Sequence, residues 1–350
     1  MIMWKQQRSN EHLSKVVGFV ALVMTTAAAV VAQIEIGKTQ DTGESWAAVA
    51  PGLVEPRSGE IRIFAPVIGR ISEVPVAVND KVSADEPLVR LDDEEARARV
   101  AAQRAEVETR EKARNEKSAG KAASRRKAED AVADAEEALV EARAAFDNAA
   151  IAKRAGKGSD STVTNARAAW TSAQQNLLHQ RDQLQSVENG SETPLPTQLE
   201  GQLTVAREDL RVSLAELQKL IVRAPIAGTV LQVNAKVGEL AAPAAAQPLV
   251  LLGDLSKLRV RAELDEQDVG KINQGDKVVM RASAFPGREF SGTVATIAPI
   301  VVPGRINPAG SRNLTDISVT DVVIDLDDFG PLLVGMKVDA YFRPEAPQQK

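Results

Sequence analysis

The run Ala65-Pro66-Val67-Ile68-Gly69-Arg70-Ile71 returns, far along the chain, as Ala224-Pro225-Ile226-Ala227-Gly228-Thr229-Val230. The first copy continues through Asn79-Asp80-Lys81-Val82 to Pro87-Leu88-Val89-Arg90-Leu91-Asp92. The second continues through Asn234-Ala235-Lys236-Val237-Gly238 to Pro248-Leu249-Val250-Leu251-Leu252-Gly253-Asp254. Each copy reads as about 30 residues of short alternating strands, punctuated by Pro, Gly and Asn-Asp turn residues. A unit of that size cannot bury its apolar face alone. Two copies packed face to face can, so the spacing predicts one small β-sandwich built from 61–92 and 222–254.

The chain between the halves changes character. Residues 93–221 are rich in Ala, Glu, Arg, Lys and Gln, all good helix formers, and Asp92-Asp93-Glu94-Glu95 places acids where the first turn of a helix favours them. Between 93 and 155 there are 14 acids and 14 bases. Val132, Leu139 and Phe146 are seven apart, with Ala128, Ala135, Ala142 and Ala149 as a companion row. Val163, Trp170, Leu177 and Leu184 form a second series, and Leu203, Leu210 and Leu217 a third. Such spacing predicts a coiled coil, with an ordinary helical bundle as the competing reading. Gly156-Lys157-Gly158-Ser159-Asp160 breaks the pattern and predicts a tip at 156–160, Ser159 or Asp160 capping the second arm. Two arms, 93–155 and 161–221, would each reach roughly 90 Å. The interruption at 189–196 falls opposite 118–126, where the heptad slips by a stutter; this predicts a softer joint between a base and an outer segment.

The chain has 350 residues, no cysteine, two histidines and 3% aromatic residues. It therefore excludes disulfides, thiolate metal sites and a cysteine nucleophile, and His12 and His179, far apart and in unlike contexts, exclude a multi-histidine site. A net charge of −5 from 43 basic and 48 acidic residues shows no bias toward nucleic acid. Residues 1–15 carry Lys5, Arg8 and Lys15 against Glu11, and 16–34 is uncharged. That stretch is close to the ~20 residues that span a bilayer, and its flanks place residues 1–15 in the cytoplasm as a tail before an anchor at 16–36. Cleavage after Ala32 as a signal peptide and a buried soluble helix are the other readings.

Residues 255–345 return to β patterning. The alternation in Leu258-Arg259-Val260-Arg261-Ala262-Glu263-Leu264 and in 277–281 and 290–297 predicts a β-barrel over 255–300. Residues 301–345 would supply the rest of the barrel and a membrane-proximal β-module that recruits a strand from 45–60.

This order of modules resembles the HlyD-type membrane fusion proteins, the periplasmic adaptors of ABC-type and RND-type export systems. The resemblance rests on the two Ala-Pro runs, on Asn79-Asp80-Lys81-Val82, on Val222-Arg223 before Ala224, and on Leu251-Leu252-Gly253-Asp254 with Leu258-Arg259-Val260. It implies an α+β fold: a membrane-anchored chain in which a split, lipoyl-like β-sandwich carries a long coiled-coil hairpin, followed by a β-barrel and a membrane-proximal module. It further implies a non-catalytic, single-pass inner-membrane protein, mostly periplasmic, without cofactor. Its expected partners are an ABC- or RND-type transporter, a TolC-like outer-membrane duct and copies of itself in a ring, commonly a hexamer. Docking would use the tip residues Arg154, Gly156, Lys157, Gly158, Ser159 and Asp160. Related adaptors often carry an Arg, a Leu and a Ser at the tip; here no leucine falls between Phe146 and Leu177.

Other functions are weaker readings. Lys81 sits where lipoyl or biotinyl carriers bear a modified lysine, with Lys236 its counterpart, but the split of the domain favours a turn lysine. Asp92–Glu95, Asp265–Asp268 and Asp325–Asp328 read as helix-start or turn charges rather than metal ligands. A coiled-coil envelope tether without a pump is the third alternative.

Overall fold

The computed structural model describes residues 46–117, 119–189, 195–306, 318–328 and 330–343. Two compact units are distinguished, Met1–Ala47 and Ala48–Lys350, and the second holds almost every described residue. The anchor expected at 16–36 lies outside them. Among the described residues no helix is long and apolar enough to cross a membrane.

The repeated motif forms two four-stranded sheets. One has the order β2 (Ile61–Ile63), β9 (Val250–Gly253), β7 (Gly228–Val233), β4 (Lys81–Val82). The other has the order β6 (Ile221–Arg223), β5 (Pro87–Leu91), β3 (Gly69–Glu73), β8 (Leu240–Ala241). Exchanging each strand for its counterpart in the other copy converts one order into the other, so the sandwich has an internal two-fold and neither copy owns a sheet. Its core joins Ile71, Leu88 and Leu91 of the first copy to Val222, Val230 and Leu252 of the second.

Strand β5 pairs antiparallel with β6, Arg90 opposite Ile221, and the Leu91 amide donates to the Leu220 carbonyl at 2.8 Å. The insertion therefore leaves and re-enters at adjacent points. It contains four helices: α1 (Glu94–Asn115), α2 (Ala123–Arg154), α3 (Asp160–Glu188) and α4 (Gln198–Lys219). The expected pairings hold locally. Arg99 of α1 bonds Glu216 of α4 at 2.9 Å, and Phe146 of α2 stacks on Trp170 of α3 with centroids 5.6 Å apart.

What fails is continuity. In place of two unbroken arms, the chain reverses between α1 and α2 and again between α3 and α4, so the α2–α3 hairpin lies back along α1 and α4. The joint is a full turn rather than a soft point. Gly120 takes a left-handed φ of +50° before a 3-10 turn at Gly120–Ala122, a conformation that costs glycine little and most residues more. On the return, Pro196 offers no amide for a continuing helix, and extended Thr197 starts α4 afresh in a capping box with Glu200.

A six-stranded closed barrel completes the unit, in the order β1 (Ala48–Pro56), β10 (Leu258–Asp265), β13 (Ser318–Leu326), β12 (Glu289–Pro303), β11 (Lys277–Arg281), β14 (Lys337–Phe342). Inward residues follow the two-residue period of a strand: Ala50 and Val54 on β1, Val260 and Ala262 on β10, Val322 and Ile324 on β13, Ala340 and Phe342 on β14, all nearly fully buried. The separate membrane-proximal module expected from 45–60 and 301–345 does not form among the described residues. Gly52 pairs with Ala262 on one side and Val338 on the other, so those segments seal the barrel instead. A strand with partners on both sides leaves no edge.

Gly292 marks a crowded crossing. A Cβ there would lie 2.7 Å from the Asp325 carbonyl oxygen and 2.9 Å from Met280, and backbone cannot yield as a side chain can. Gly292→Val should destabilise the barrel by about 2 kcal/mol or more, read as a lower thermal midpoint. Gly270→Ala, with nothing within 4 Å of the added carbon, should leave it nearly unchanged.

Candidate partner-docking surface

The turn between α2 and α3 is tight. Gly156 takes a φ of +72°, and a Cβ on Gly158 would lie 2.9 Å from the Lys153 amide nitrogen. The Ser159 hydroxyl caps α3 by accepting from the Thr162 amide at 3.2 Å. Asp160 pairs with Lys153 across the turn. Lys157, Gly158 and Ser159 are exposed.

This turn does not stand at the far end of the helices. Ten more residues in α2 than in α1 (32 against 22) carry α2 about 15 Å past the base of α1 at 1.5 Å per residue. That overshoot runs along the split sandwich. Arg154 reaches Glu86 at 2.8 Å and Asp80 at 3.3 Å, and donates to the Lys81 carbonyl. Arg167 of α3 donates to the Ala84 carbonyl at 3.0 Å. Arg223 of β6 grips both carboxylate oxygens of buried Asp147, one at 2.7 Å. Arg143 lies 3.5 Å from Asp85; burial, with Arg223 nearby, lowers its pKa below the usual guanidinium value. The six tip residues thus share one turn; Arg154 is tied to the 80–86 turn of the chain's own sandwich, while Gly156, Lys157, Gly158, Ser159 and Asp160 are exposed.

Lys81 lies in β4, paired with Thr229, with its carbonyl held by Arg154. Lys236 pairs with Glu239 at 3.7 Å. The acids at the start of α1 pair along their own helix, Asp93 with Arg97 and Glu95 with Arg99. Among the described residues no group of His, Cys, Asp or Glu is placed to hold a metal ion.

Sequence reasoning missed the polar ties between the two helix pairs. Arg114 of α1 is 1% exposed and holds Asp130 of α2 through 2.7 and 3.0 Å bonds. Arg207 of α4 reaches the same carboxylate at 2.8 Å. Burial acts to raise the Asp130 pKa, but the two guanidiniums outweigh it and hold it below the ordinary value. Nearer the reversals, Arg125 and Arg126 of α2 converge on buried Glu200 of α4 at 2.9 and 2.5 Å. Their sequence signal was the short basic run at 125–127 and the Thr-x-x-Glu capping pattern at 197–200; nothing in sequence joined one to the other.

Burial alone would raise the Glu200 pKa, yet bonds from Thr197 and Arg126 bring it down to about 2 from 4.5. A depressed carboxylate stabilises the fold above the unfolded value and loses that contribution as pH falls through the folded value. The helical domain should therefore lose roughly 3 kcal/mol between about pH 4.5 and pH 2 from this group. In melts followed by helical circular dichroism, Glu200→Gln should lower the midpoint at pH 7 and shrink the acid-dependent loss.

Residues 258–304, which include β10, β11 and β12, match the family model described as the CusB-like β-barrel domain. The macrolide export protein MacA of Yersinia pestis is 30% identical over 112 residues, covering 32% of this chain and 30% of that protein. The chain therefore spans less than a third of this relative. The multidrug resistance protein MdtN of Escherichia coli O6:H1 is 26% identical over 303 residues, covering 81% of this chain and 86% of that protein. Among solved structures, a MacA–MexA chimera carrying the Pseudomonas aeruginosa MexA α-hairpin domain aligns over 85% of this chain and 80% of its own, with 16% identity and a TM-score of 0.49.

Proposed function

We propose that this chain, which the matches indicate to be a periplasmic adaptor of the membrane fusion protein type, is the non-catalytic bridging subunit of a multicomponent export pump. The observation that carries this reading is the order of modules. A helical domain is inserted between the halves of a split sandwich, and a barrel carrying the CusB-like match follows it. In this reading mechanism is geometry. Residues 16–36 anchor the chain in the inner membrane with its bulk in the periplasm. The barrel faces an ABC-type or RND-type transporter, several copies form a ring, and the helical domain spans toward an outer-membrane duct. Energy for transport comes from the partner.

Replacing 93–219 with a short linker tests the bridging role. Because β5 and β6 are adjacent and hydrogen-bonded, a short loop closes the sandwich, and the shortened chain should keep its β-sheet circular dichroism and cooperative melting. Export by cells carrying it should fall to the level of cells lacking the chain. Retained export with a folded protein would remove the helical domain from the transport role.

A further inference from the structure

The two contacts of the α2–α3 hairpin differ in kind. Within the hairpin, Phe146 and Trp170 stack, Ala135, Ala150 and Leu177 are buried, and Arg143 and Arg167 lie over the Trp170 and Phe146 rings. That is a packed heptad seam able to persist as a unit. Between the hairpin and the α1–α4 pair the fit is loose. One groove of about 430 Å³ stays open among Val100, Val140, Leu214 and Leu217. A second, of about 290 Å³, lies among Leu139, Leu177 and Leu210. Side chains along such gaps lose dispersion contacts. Guanidinium–carboxylate bonds bridge the two pairs at Asp130 and Glu200 and tie the hairpin to the sandwich at Asp147 and Arg154.

Several of these bonds exist only in the folded-back arrangement. The Phe146–Trp170 stack fixes the antiparallel register. In two continuous arms, Asp130 would stand opposite residue 186, about 30 Å of helix from Arg207. Arg154 would be roughly 90 Å from Glu86 at 1.5 Å per residue. The base pairing of α1 with α4 and the seam of α2 with α3 survive in either arrangement.

We infer that the α2–α3 hairpin is a latched arm: the polar clasp of Arg154, Asp147 and Arg167 on the sandwich, together with the Asp130 and Glu200 clusters, holds it folded back. Its release lets the α2–α3 hairpin swing out into line with α1 and α4, still jointed at the breaks between α1 and α2 and between α3 and α4, so that residues 154–160 stand at the far end. This rests on the adaptor reading for its purpose, since a bridging arm must extend. Loosely packed, polar contacts open at lower free energy than a packed core, so opening leaves the sandwich and barrel intact.

The chain has no cysteine, and Ser83 and Lys157 are exposed on opposite sides of the clasp. Spin labels on Ser83→Cys and Lys157→Cys in the purified full chain therefore report the latch directly. The unperturbed clasp should give a distance below about 30 Å. Adding Arg154→Ala, Asp147→Ala, Asp130→Asn and Glu200→Gln should move the population beyond about 60 Å by at least tenfold, with helical content unchanged. A charge exchange, Asp147→Arg with Arg223→Asp, should restore the short distance if Arg154 is intact. A long distance with the clasp intact, or an unmoved short distance in the folded quadruple variant, would overturn the latch. In cells, joining the two introduced thiols through a cleavable tether should stop export until the tether is cut. Export through the uncut tether would overturn release while leaving the adaptor role, which the 93–219 deletion tests separately.

Discussion

Neither half of the split sandwich can be stable by itself, and the rest of the molecule follows from that constraint. Leu88 and Leu91 are fully buried only because Val222, Val230 and Leu252 arrive from the second copy. The chain must therefore come back to β5, and the Arg90–Ile221 pairing sets the start of α1 beside the end of α4. Antiparallel pairing of those helices is a consequence of closure. The same junction continues into the barrel, where Pro56 packs so close to Gly253 that a Cβ would lie 2.6 Å from it.

The balanced charge of the helical domain has a structural use. Its acids and bases form along-helix pairs such as Glu106–Arg110 and Glu108–Lys112, which contribute little each. They also form cross-helix ties such as Arg104–Glu137 and the buried clusters at Asp130 and Glu200. Buried ion pairs are weak sources of net stability, because desolvation offsets attraction, but breaking one side is costly. Such groups can favour one arrangement over its rivals. Here the rivals are two ways of stacking the same four helices, and the clusters select the folded-back one.

The repeat, the heptads, the break at 156–160 and the β alternation were all legible because each depends on neighbours in sequence. Ser159 caps α3 as its residue type predicts, and Val260, Ala262 and Leu264 face inward as their spacing requires. The joint at 118–126 was visible as a stutter and a glycine, but its angle was not. A stutter permits many bend angles, and the choice lay with partners such as Arg114 and Asp130, sixteen residues apart, and Arg207 and Asp130, seventy-seven apart. The break at 156–160 could be read from its glycines, but the partners of Arg154, Asp80 and Glu86, belong to a different module.

The barrel shows the same division. Sequence marked strands at both chain ends and their alternation, yet not that β1 would lie between β10 and β14 in one closed sheet. By itself, then, the sequence determined the elements, their local pairings and the need for the two sandwich halves to meet, because propensity, capping and periodicity are local properties. Only the tertiary structure decided that the barrel closes on itself and that the helical insertion doubles back. Those outcomes depend on strand partners and ion pairs that meet across distant parts of the chain, where many arrangements satisfy the same local rules.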